Sequence, residues 1–522
     1  MKKIIALLLL IVMCFSIVAC GDRTPTPNKP GDENKPGDEN KPGDENKPGD
    51  ENKPGDENKP GDEPVVDNKV RYEVPSVGYD GSEVTITFSH TMGESLRKEL
   101  DNAIERFNEL FPNITVEHSQ IGGYDDVRDQ IKQELTAGNQ PNIAYCYPDH
   151  VALYNVTKKT VPLDNFIEST ITVERADGTT EILGLTAEQI ADFIPGYYKE
   201  GTVFDAAGTM YTMPMSKSTE VLYYNATFFA EHNLQVPTTW AEVEAVCKQI
   251  QTILKNDDNP NNDNDKPLGY DSEANWFITM CEQYGSNYTS TDRNAHFLFN
   301  NKKNREFVTM FREWYEQGLF TTQELYGAYT SGLFTNLDPE KATCYMCIGS
   351  TGGASHQVPA SVDGKPAFEV GIAPLPQVDP ENPKAISQGP SLVIFDQENK
   401  QEVVASWLFV KFLTTDAEFQ ASFSMASGYM PVIKSVTEID AYAQWLNNDK
   451  NVIARVTKTA LENADYYFVS PAFNGSSKAR DQVGELMKYC FSTKLSDTNF
   501  STVDEFILDA FKKAINECLA DI

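Results

Sequence analysis

The stretch VTITFSHTMGESLRKELDNAIERFNELFPNITVEHS (84–119) decides the fold class. VTITF (84–88) alternates apolar and polar residues, which predicts a strand. The next segment has a one-sided apolar pattern at helical spacing, formed by Leu96, Leu100, Ala103, Ile104, Phe107 and Phe111. Pro112 ends this helix, and ITVEHS (114–119) predicts a second strand.

The same alternation continues beyond this stretch. Residues 124–137 predict a second helix that ends at Gly138, and NIAYCY (142–147) predicts a third strand. Strands separated by helices in this way predict an α/β fold whose parallel strands are joined by crossover helices. Ligands on open sheets of this kind bind outside the carboxyl ends of the strands. His90 and Asp149, which follow the first and third strands, are therefore candidate ligand-binding residues.

Three later segments carry a resemblance to a known family: 208–243 (with Tyr224-Asn225 and TWAE), 371–395 (GIAPLPQ to SQGPSLVIF) and 427–431 (SGYMP). Together with the opening segment, and in the same order, they resemble the extracellular solute-binding proteins of ABC importers, the large family that includes maltose-binding protein. The resemblance covers most of the chain after residue 82. Each segment alone is a weak signal, and their order along the chain makes the resemblance specific.

The resemblance implies a two-lobed α/β periplasmic-binding-protein fold (type II) with the ligand cleft between the lobes. It places the first lobe at 82–215 plus 391–469 and the second at 216–390 plus 470–522. Hinge crossings are expected near 215–218, 389–391 and 470–472. A hinge of several crossings mainly permits closing, so ligand contacts to both lobes would favour the closed state.

The function implied by the resemblance is capture of a carbohydrate, taken to be an oligosaccharide, and its delivery to an ABC permease in the membrane. The protein is expected to be a monomer without enzymatic activity and without a cofactor. Residue by residue, the resemblance points to ligand contacts from His90, Asp149, Ser218, Thr219, Trp276, Ser350, Thr351, Gly352, Gln388, Tyr429 and Asn474. Asp149 is expected to accept hydrogen bonds from two sugar hydroxyls. Trp276 is expected either to stack on the sugar or to pack beneath the cleft.

The N-terminus predicts an extracytoplasmic location. Residues 1–19 combine two lysines with an apolar run, which is typical of a signal peptide. Ile17-Val18-Ala19-Cys20 resembles the bacterial lipoprotein signal, in which the cysteine is acylated and anchors the protein to the bilayer; a plain secreted protein is the alternative. The KPGDEN repeats within 20–69 have no apolar residue, so they predict a solvated tether on the outer face of the cell membrane.

The net charge and the candidate metal ligands bear on three other functions: nucleic-acid binding, calcium binding and redox chemistry. The net charge of −33 argues against nucleic-acid binding. The segment 256–273 resembles a degenerate Ca²⁺ loop with Asp258, Asp263 and Asp265 as weak candidate ligands, but it lacks the glycine and glutamate that such loops need. A solvated loop is the favoured interpretation. Cys344 and Cys347 have the spacing of a redox motif but lie in an apolar run that predicts a buried strand. Core residues are the favoured interpretation, and a disulfide or metal or redox chemistry are the alternatives.

Other functions remain open at this stage. A surface glycoside hydrolase would need two carboxylates flanking the scissile bond, and no segment resembles a hydrolase. A carbohydrate-capture protein without a transporter would use the same fold. Peptides, polyamines and phosphorylated polyols are alternative ligands. A phosphate would need Arg or Lys in the cleft, and His90 is the one basic residue among the candidates.

Overall fold

The computed structural model describes residues 68–256, 264–292, 294–520 and 522. The predicted signal peptide, Cys20 and nearly all of the tether lie outside the described residues, as do Asp258 and Asp263. Among the described residues, no helix combines the length and apolar character needed to cross a membrane.

Sixteen strands are described. In chain order they are β1 Val84–His90, β2 Ile114–Gln120, β3 Ile143–Cys146, β4 Thr172–Glu174, β5 Thr180–Ile182, β6 Thr212–Pro214, β7 Glu220–Asn225, β8 Lys266–Tyr270, β9 Phe320–Thr322, β10 Cys344–Ser350, β11 Ser361–Val362, β12 Lys365–Pro366, β13 Val370–Pro374, β14 Ala385–Ile386, β15 Ser391–Ile394 and β16 Tyr467–Phe468.

Eighteen α-helices are described. They are α1 Glu94–Leu110, α2 Tyr124–Ala137, α3 Pro148–Tyr154, α4 Asp164–Ile167, α5 Ala187–Asp192, α6 Pro195–Lys199, α7 Ala226–Glu231, α8 Trp240–Asn256, α9 Glu273–Gln283, α10 Lys302–Glu316, α11 Gln323–Tyr326, α12 Ser331–Phe334, α13 Lys400–Thr415, α14 Ala417–Ser427, α15 Asp440–Leu446, α16 Val452–Glu462, α17 Ser476–Ser492 and α18 Val503–Leu519.

The first lobe is built on a five-stranded sheet in the order β2-β1-β3-β15-β6. Strands β1, β2 and β3 are mutually parallel, while β15 is antiparallel to both of its neighbours. The apolar stripe of α1 is buried as its spacing predicts, with Leu100, Ala103, Ile104 and Phe107 inside the core. Trp407 and Phe409 of α13 join the same core.

The second lobe is built on another five-stranded sheet, in the order β13-β7-β10-β8-β9. Here β7 is antiparallel to both of its neighbours, β10 and β13, while β8 is parallel to β10 and β9. Its main core is formed mostly by α8, α9, α10, α17 and α18. The lobe therefore combines residues from the middle of the chain with the last two helices.

Neighbouring backbone segments connect the lobes. Ser218 N–H donates to the Gln388 carbonyl and Gln388 N–H donates to the Ser218 carbonyl, both at 2.8 Å. Gly389 has a φ of +101°, and a Cβ atom there would lie 2.5 Å from the carbonyl oxygen of Ser216. This close approach requires glycine, because a side chain would separate the two crossings.

Two further segments pack on the lobes: the residues just after the tether, and helix α16. Residues just after the tether pack on the first lobe, where Lys69 Nζ lies 2.6 Å from Asp164 Oδ1 and Tyr72 donates to Asp396 at 2.6 Å. Helix α16 packs towards the second sheet: Val456 joins the core around β7, and Arg455 donates to the Val370 carbonyl at 2.8 Å.

Seven cysteines fall within the described residues, and all of them are buried. Cys344 and Cys347 lie three residues apart within β10, as core residues of the second lobe. Burial raises the thiol pKa of both residues well above its usual range, so neither is poised for redox chemistry.

Candidate functional site

A cavity of about 50 Å³ lies between the lobes, next to the crossings. The first lobe contributes Tyr147, Pro148, Asp149 and Glu200, and the second contributes Ile278, Tyr288, Ser476 and Arg480. The crossings contribute Gln388, Gly389 and Ser470. Two of the predicted site residues, Asp149 and Gln388, therefore line the same cavity.

Asp149 lies in the first turn of α3, directly after the third strand. Its Oδ2 atom accepts a hydrogen bond from Ser477 Oγ of α17 across the cleft, at 3.2 Å. A carboxylate has about four acceptor positions, so Asp149 retains acceptor capacity for further donors.

Arg480 of α17 is the cation of this cavity, and the sequence did not reveal it. Its Nη2 atom donates to Asn275 Oδ1, and its guanidinium lies 5.9 Å from the centre of the Tyr147 ring. Burial opposes its charge, but the nearby carboxylate of Asp149 and its other neighbours outweigh burial, so the pKa of Arg480 is raised. Arg480 and Asp149 together give the cavity a positively charged hydrogen-bond donor and a negatively charged hydrogen-bond acceptor.

Tyrosines extend from this cavity along the first lobe. Tyr147 and Tyr124 stack with ring centres 4.3 Å apart, and the hydroxyl of Tyr124 lies 3.2 Å from that of Tyr429. Such a row of rings offers flat apolar faces and hydroxyl groups together. Tyr429 was expected at the site, whereas Tyr124 and Tyr147 were not.

Beyond Tyr429 lies a second, larger cavity of about 870 Å³. It is lined by the start of α1 and the end of α14 on one side and by Gly352, Ser355 and His356 on the other. Tyr429 packs directly on Gly352, since a Cβ atom at Gly352 would lie 2.5 Å from Tyr429 Cζ. The small residue expected at position 352 thus accommodates a ring from the opposite lobe.

Several other predicted site residues belong to the hinge and its surroundings. Ser218 and Thr219 are buried. Thr219 Oγ1 donates to the Ile386 carbonyl at 2.8 Å, and its N–H donates to Thr351 Oγ1 at 3.2 Å. Ser350 Oγ accepts from Gly352 N–H at 3.2 Å, which caps the helical turn 351–357. The side chains of Thr219, Thr351 and Ser350 are thus engaged within the protein.

Lys217 lies in the first crossing, and its buried side chain contacts residues of the second crossing. Its side chain is fully buried and its Nζ lies 2.6 Å from Glu200 Oε1. The same Nζ donates to the Gly389 carbonyl at 3.3 Å and to Ser391 Oγ at 3.1 Å. Because Glu200 lines the small cavity, this ion pair connects the hinge to the cavity wall.

His90 does not line either cavity, and its predicted role as a ligand contact needs correction. Its side chain is fully buried. Nδ1 accepts from Met92 N–H at 3.1 Å, so Nε2 carries the proton and donates to His118 Nδ1 at 2.9 Å. Burial, together with the charges of His118 and Arg97, lowers the pKa of His90 to about 3. The imidazole is a neutral part of the core.

Trp276 and Asn474 do not line either cavity. Trp276 is fully buried, stacked with Tyr270 at 4.7 Å and with Trp240 at 5.7 Å. A role as an exposed stacking platform is therefore contradicted, and Trp276 packs in the core of the second lobe. Asn474 is an exposed residue of the turn before α17.

The weak calcium prediction has one described member. Asp265 accepts hydrogen bonds from Thr343 N–H at 2.8 Å and Tyr345 hydroxyl at 3.0 Å, so it holds β10 against the loop. In the described part of the chain, no group of three or more His, Cys, Asp or Glu residues is arranged for a metal ion.

A cleft between two lobes, with charged groups and tyrosines on its walls and neighbouring crossings at its base, defines a solute-binding protein. The family model of the bacterial extracellular solute-binding proteins matches residues 102–451. The chain therefore belongs to this family, whose members bind substrates and are not enzymes.

Relatives and solved structures agree with this assignment. The chain is 23% identical over 374 residues to the sn-glycerol-3-phosphate-binding periplasmic protein UgpB of Escherichia coli K12, covering 68% of this chain and 76% of the relative. UgpB of Mycobacterium tuberculosis, solved with glycerophosphocholine, superposes with a TM-score of 0.64 at 16% identity. This match covers 84% of the present chain and 99% of the UgpB chain. The maltose/maltodextrin-binding domain MalE of Bdellovibrio bacteriovorus, bound to maltotriose, superposes with a TM-score of 0.61 at 15% identity, and the match covers 83% of the present chain and 100% of the MalE chain. The predicted two-lobed fold is confirmed.

Proposed function

We propose that this protein is a lipid-anchored, extracytoplasmic binding protein that captures a carbohydrate between its lobes and delivers it to an ABC importer. Membership in the solute-binding family supports the general role. The observation that carries the ligand class is the cavity wall formed by Asp149 and Tyr147. A sugar ring presents hydroxyls to a carboxylate acceptor and a flat C–H face to an aromatic ring.

Closure of the cleft is part of this proposal. A ligand site for a small molecule encloses about 300–1,000 Å³. The cavity next to the crossings measures about 50 Å³, so the lobes must separate before a sugar reaches Asp149 and Arg480. We expect the hinge to permit this motion and the lobes to close around the sugar, which then separates pairs such as Ser477 and Asp149 that are in direct contact here.

The larger cavity favours an oligosaccharide. It lies beyond the contact of Tyr429 with Gly352, and the row from Tyr147 through Tyr124 to Tyr429 leads towards it. A chain of several sugar units would contact successive rings of this row. One end of the chain would lie at Asp149, where the charged groups face the crossings.

A ligand screen by thermal shift tests the proposal. Mono- and oligosaccharides are compared with sn-glycerol 3-phosphate, polyamines, peptides and Ca²⁺. A ligand at 100 times its dissociation constant stabilises the folded protein by about 2.7 kcal/mol, which gives a clear shift. We expect a shift with one sugar series, and we expect Asp149→Asn to abolish it.

The matched control for Asp149→Asn is Asp449→Asn, which removes the same charge from an exposed position. The control should retain the full shift. No response to any sugar, or an equal response from the Asp149→Asn protein, would contradict carbohydrate capture at this site.

Glycerol phosphate compounds are the second candidate ligand class, and Arg480 is the observation that favours them. The absence of a cleft cation argued against phosphate in the sequence, but Arg480 lines the cavity and has a neutral hydrogen-bond partner in Asn275. A guanidinium of this kind is suited to a phosphate group. In the same screen, a shift with sn-glycerol 3-phosphate that is lost in Arg480→Gln would support this class over sugars.

A further inference from the structure

A buried carboxylate, Glu220, is linked to Arg480 through Asn275 and does not line the cavity. Glu220 is the first residue of β7 and is 2% exposed. Its Oε2 atom accepts from the Tyr270 hydroxyl at 2.6 Å, and its Oε1 accepts from Asn275 Nδ2 at 2.9 Å. Both partners are neutral, so the usual compensation for a buried charge by a direct ion pair is missing here.

Asn275 connects this carboxylate to the arginine. It lies in the first turn of α9 and is 4% exposed. An ionised carboxylate can only accept hydrogen bonds, so the NH₂ group of Asn275 must face Glu220. Its carbonyl oxygen then faces the other way, where it accepts from Arg480 Nη2. Glu220 and Arg480 thus favour the same orientation of the Asn275 amide, one from each end.

We propose that Glu220 and Asn275 are positioning residues that hold the Arg480 guanidinium at the cleft. Elements β7, α9 and α17 meet at this relay, and it ends at a side chain that lines the cavity. Among the described residues, Asn275 is the hydrogen-bond partner of the guanidinium. The remaining N–H groups of Arg480 stay available for a ligand in the cavity shared with Asp149.

The charges around Glu220 make this relay responsive to pH. Burial raises the pKa of Glu220 to about 7, and the negative charge of Asp271 adds to this rise. The hydrogen bonds from Tyr270 and Asn275, and the positive charge of Arg480, lower the pKa and so oppose the effect of burial. Arg480 in turn is faced by Asp149 and Asp125 of the first lobe. When Glu220 gains a proton it loses its negative charge, so the hydrogen bond that it accepts from the Asn275 NH₂ group weakens and the charge behind Asn275 disappears.

Nuclear magnetic resonance of the ¹⁵N-labelled arginine side chains tests the relay without any ligand. The Nε–Hε resonance of Arg480 is assigned by its loss in Arg480→Lys. We expect this resonance to shift with pH with a midpoint near 7 in the wild-type protein. The shift should vanish in Glu220→Gln, and Asn275→Leu should move the resonance at every pH.

Thr279→Val is the matched control. Thr279 lies one turn further along α9, is fully buried, and its hydroxyl has no partner among the described residues. This variant should retain the wild-type resonance and its titration. An Arg480 resonance that is unchanged in Asn275→Leu, or that titrates with the same midpoint in Glu220→Gln, would overturn the proposal. The two variants are independent, so loss of folding in one leaves the other decisive.

Calorimetry relates the relay to binding, which is where the inference rests on the proposed function. The titrants are sn-glycerol 3-phosphate and maltotriose. If a titrant binds the wild-type protein, Asn275→Leu should weaken its binding about tenfold or more, which is the loss expected for a charged hydrogen bond. The control variant Thr279→Val should bind the same titrant with wild-type affinity. Equal affinities for Asn275→Leu and wild type would overturn a role in binding. If neither titrant binds the wild-type protein, the proposed ligand classes fail while the arginine spectrum still decides the positioning role.

Discussion

Tyr429 of the first lobe packs on Gly352 of the second, and a Cβ atom at Gly352 would come within 2.5 Å of the ring. The ring has little freedom to move away, because its hydroxyl is paired with that of Tyr124 and its centre lies 5.9 Å from the centre of the Phe423 ring. Closure of the lobes at this point therefore requires a residue without a side chain.

Gly352→Ala is expected to favour the open state. Overpacking of a close contact costs about 1–3 kcal/mol, which weakens closure by roughly 5- to 150-fold. Small-angle X-ray scattering would register the change as a larger radius of gyration. Gly353→Ala is the control, because a Cβ atom there meets nothing within 4 Å. Identical scattering from the two variants would show that the Tyr429 contact does not limit closure.

Lys217→Met is expected to destabilise the protein by about 3–5 kcal/mol, because it leaves the buried carboxylate of Glu200 without its cation. Urea unfolding measures this loss. Lys217→Met combined with Glu200→Gln should recover part of it, since no unpaired charge remains. Lys248→Met breaks an exposed pair with Glu244 and should change stability by less than about 0.5 kcal/mol. Losses of similar size from Lys217→Met and Lys248→Met would contradict the role of the buried pair.

His90 is expected to make the protein less stable in acid. Burial lowers its pKa to about 3, whereas an unfolded histidine titrates near 6.5. Between these values the unfolded chain binds the additional proton, so stability falls as pH falls, by up to about 1.4 kcal/mol per pH unit. Urea unfolding between pH 7 and 4 should show a shallower dependence for His90→Gln. His232→Gln, which removes an exposed imidazole, is the control, and a wild-type slope in His90→Gln would refute the assignment.

Cys20 is expected to anchor the protein. Cys20→Ser should move the protein from the membrane fraction to the soluble fraction and abolish its metabolic labelling with a fatty acid. Cys14→Ser, within the predicted signal peptide, should leave both unchanged. Retention of Cys20→Ser in the membrane fraction would exclude the lipid anchor.

The sequence predicted the fold through local patterns that the tertiary structure preserves. Helix α2 begins and ends where its apolar spacing placed it, and β1 and β2 extend only one or two residues beyond their predictions. The periodicity worked because each element buries one face against one sheet. The second lobe could be assigned only by resemblance, since its sheet and helices come from two separate parts of the chain.

The candidate site was less predictable, for identifiable reasons. Val84, Ile86, Phe88 and His90 share one face of β1, so the alternation already placed His90 towards the core. Arg480 gave no such signal, because an arginine in a helix sequence rich in polar residues is typical of an exposed surface. Its place in the cleft depends on Asn275, which is 205 residues away along the chain.

The buried thiols have a practical consequence for observing the lobes in motion. From Cys146 to Cys518, every cysteine is shielded within the folded protein. A maleimide dye will therefore react preferentially with cysteines introduced at exposed positions, one on each lobe, without replacement of these native residues. The proposed opening and closing of the cleft thus becomes accessible to single-molecule fluorescence in a protein whose interior is left intact.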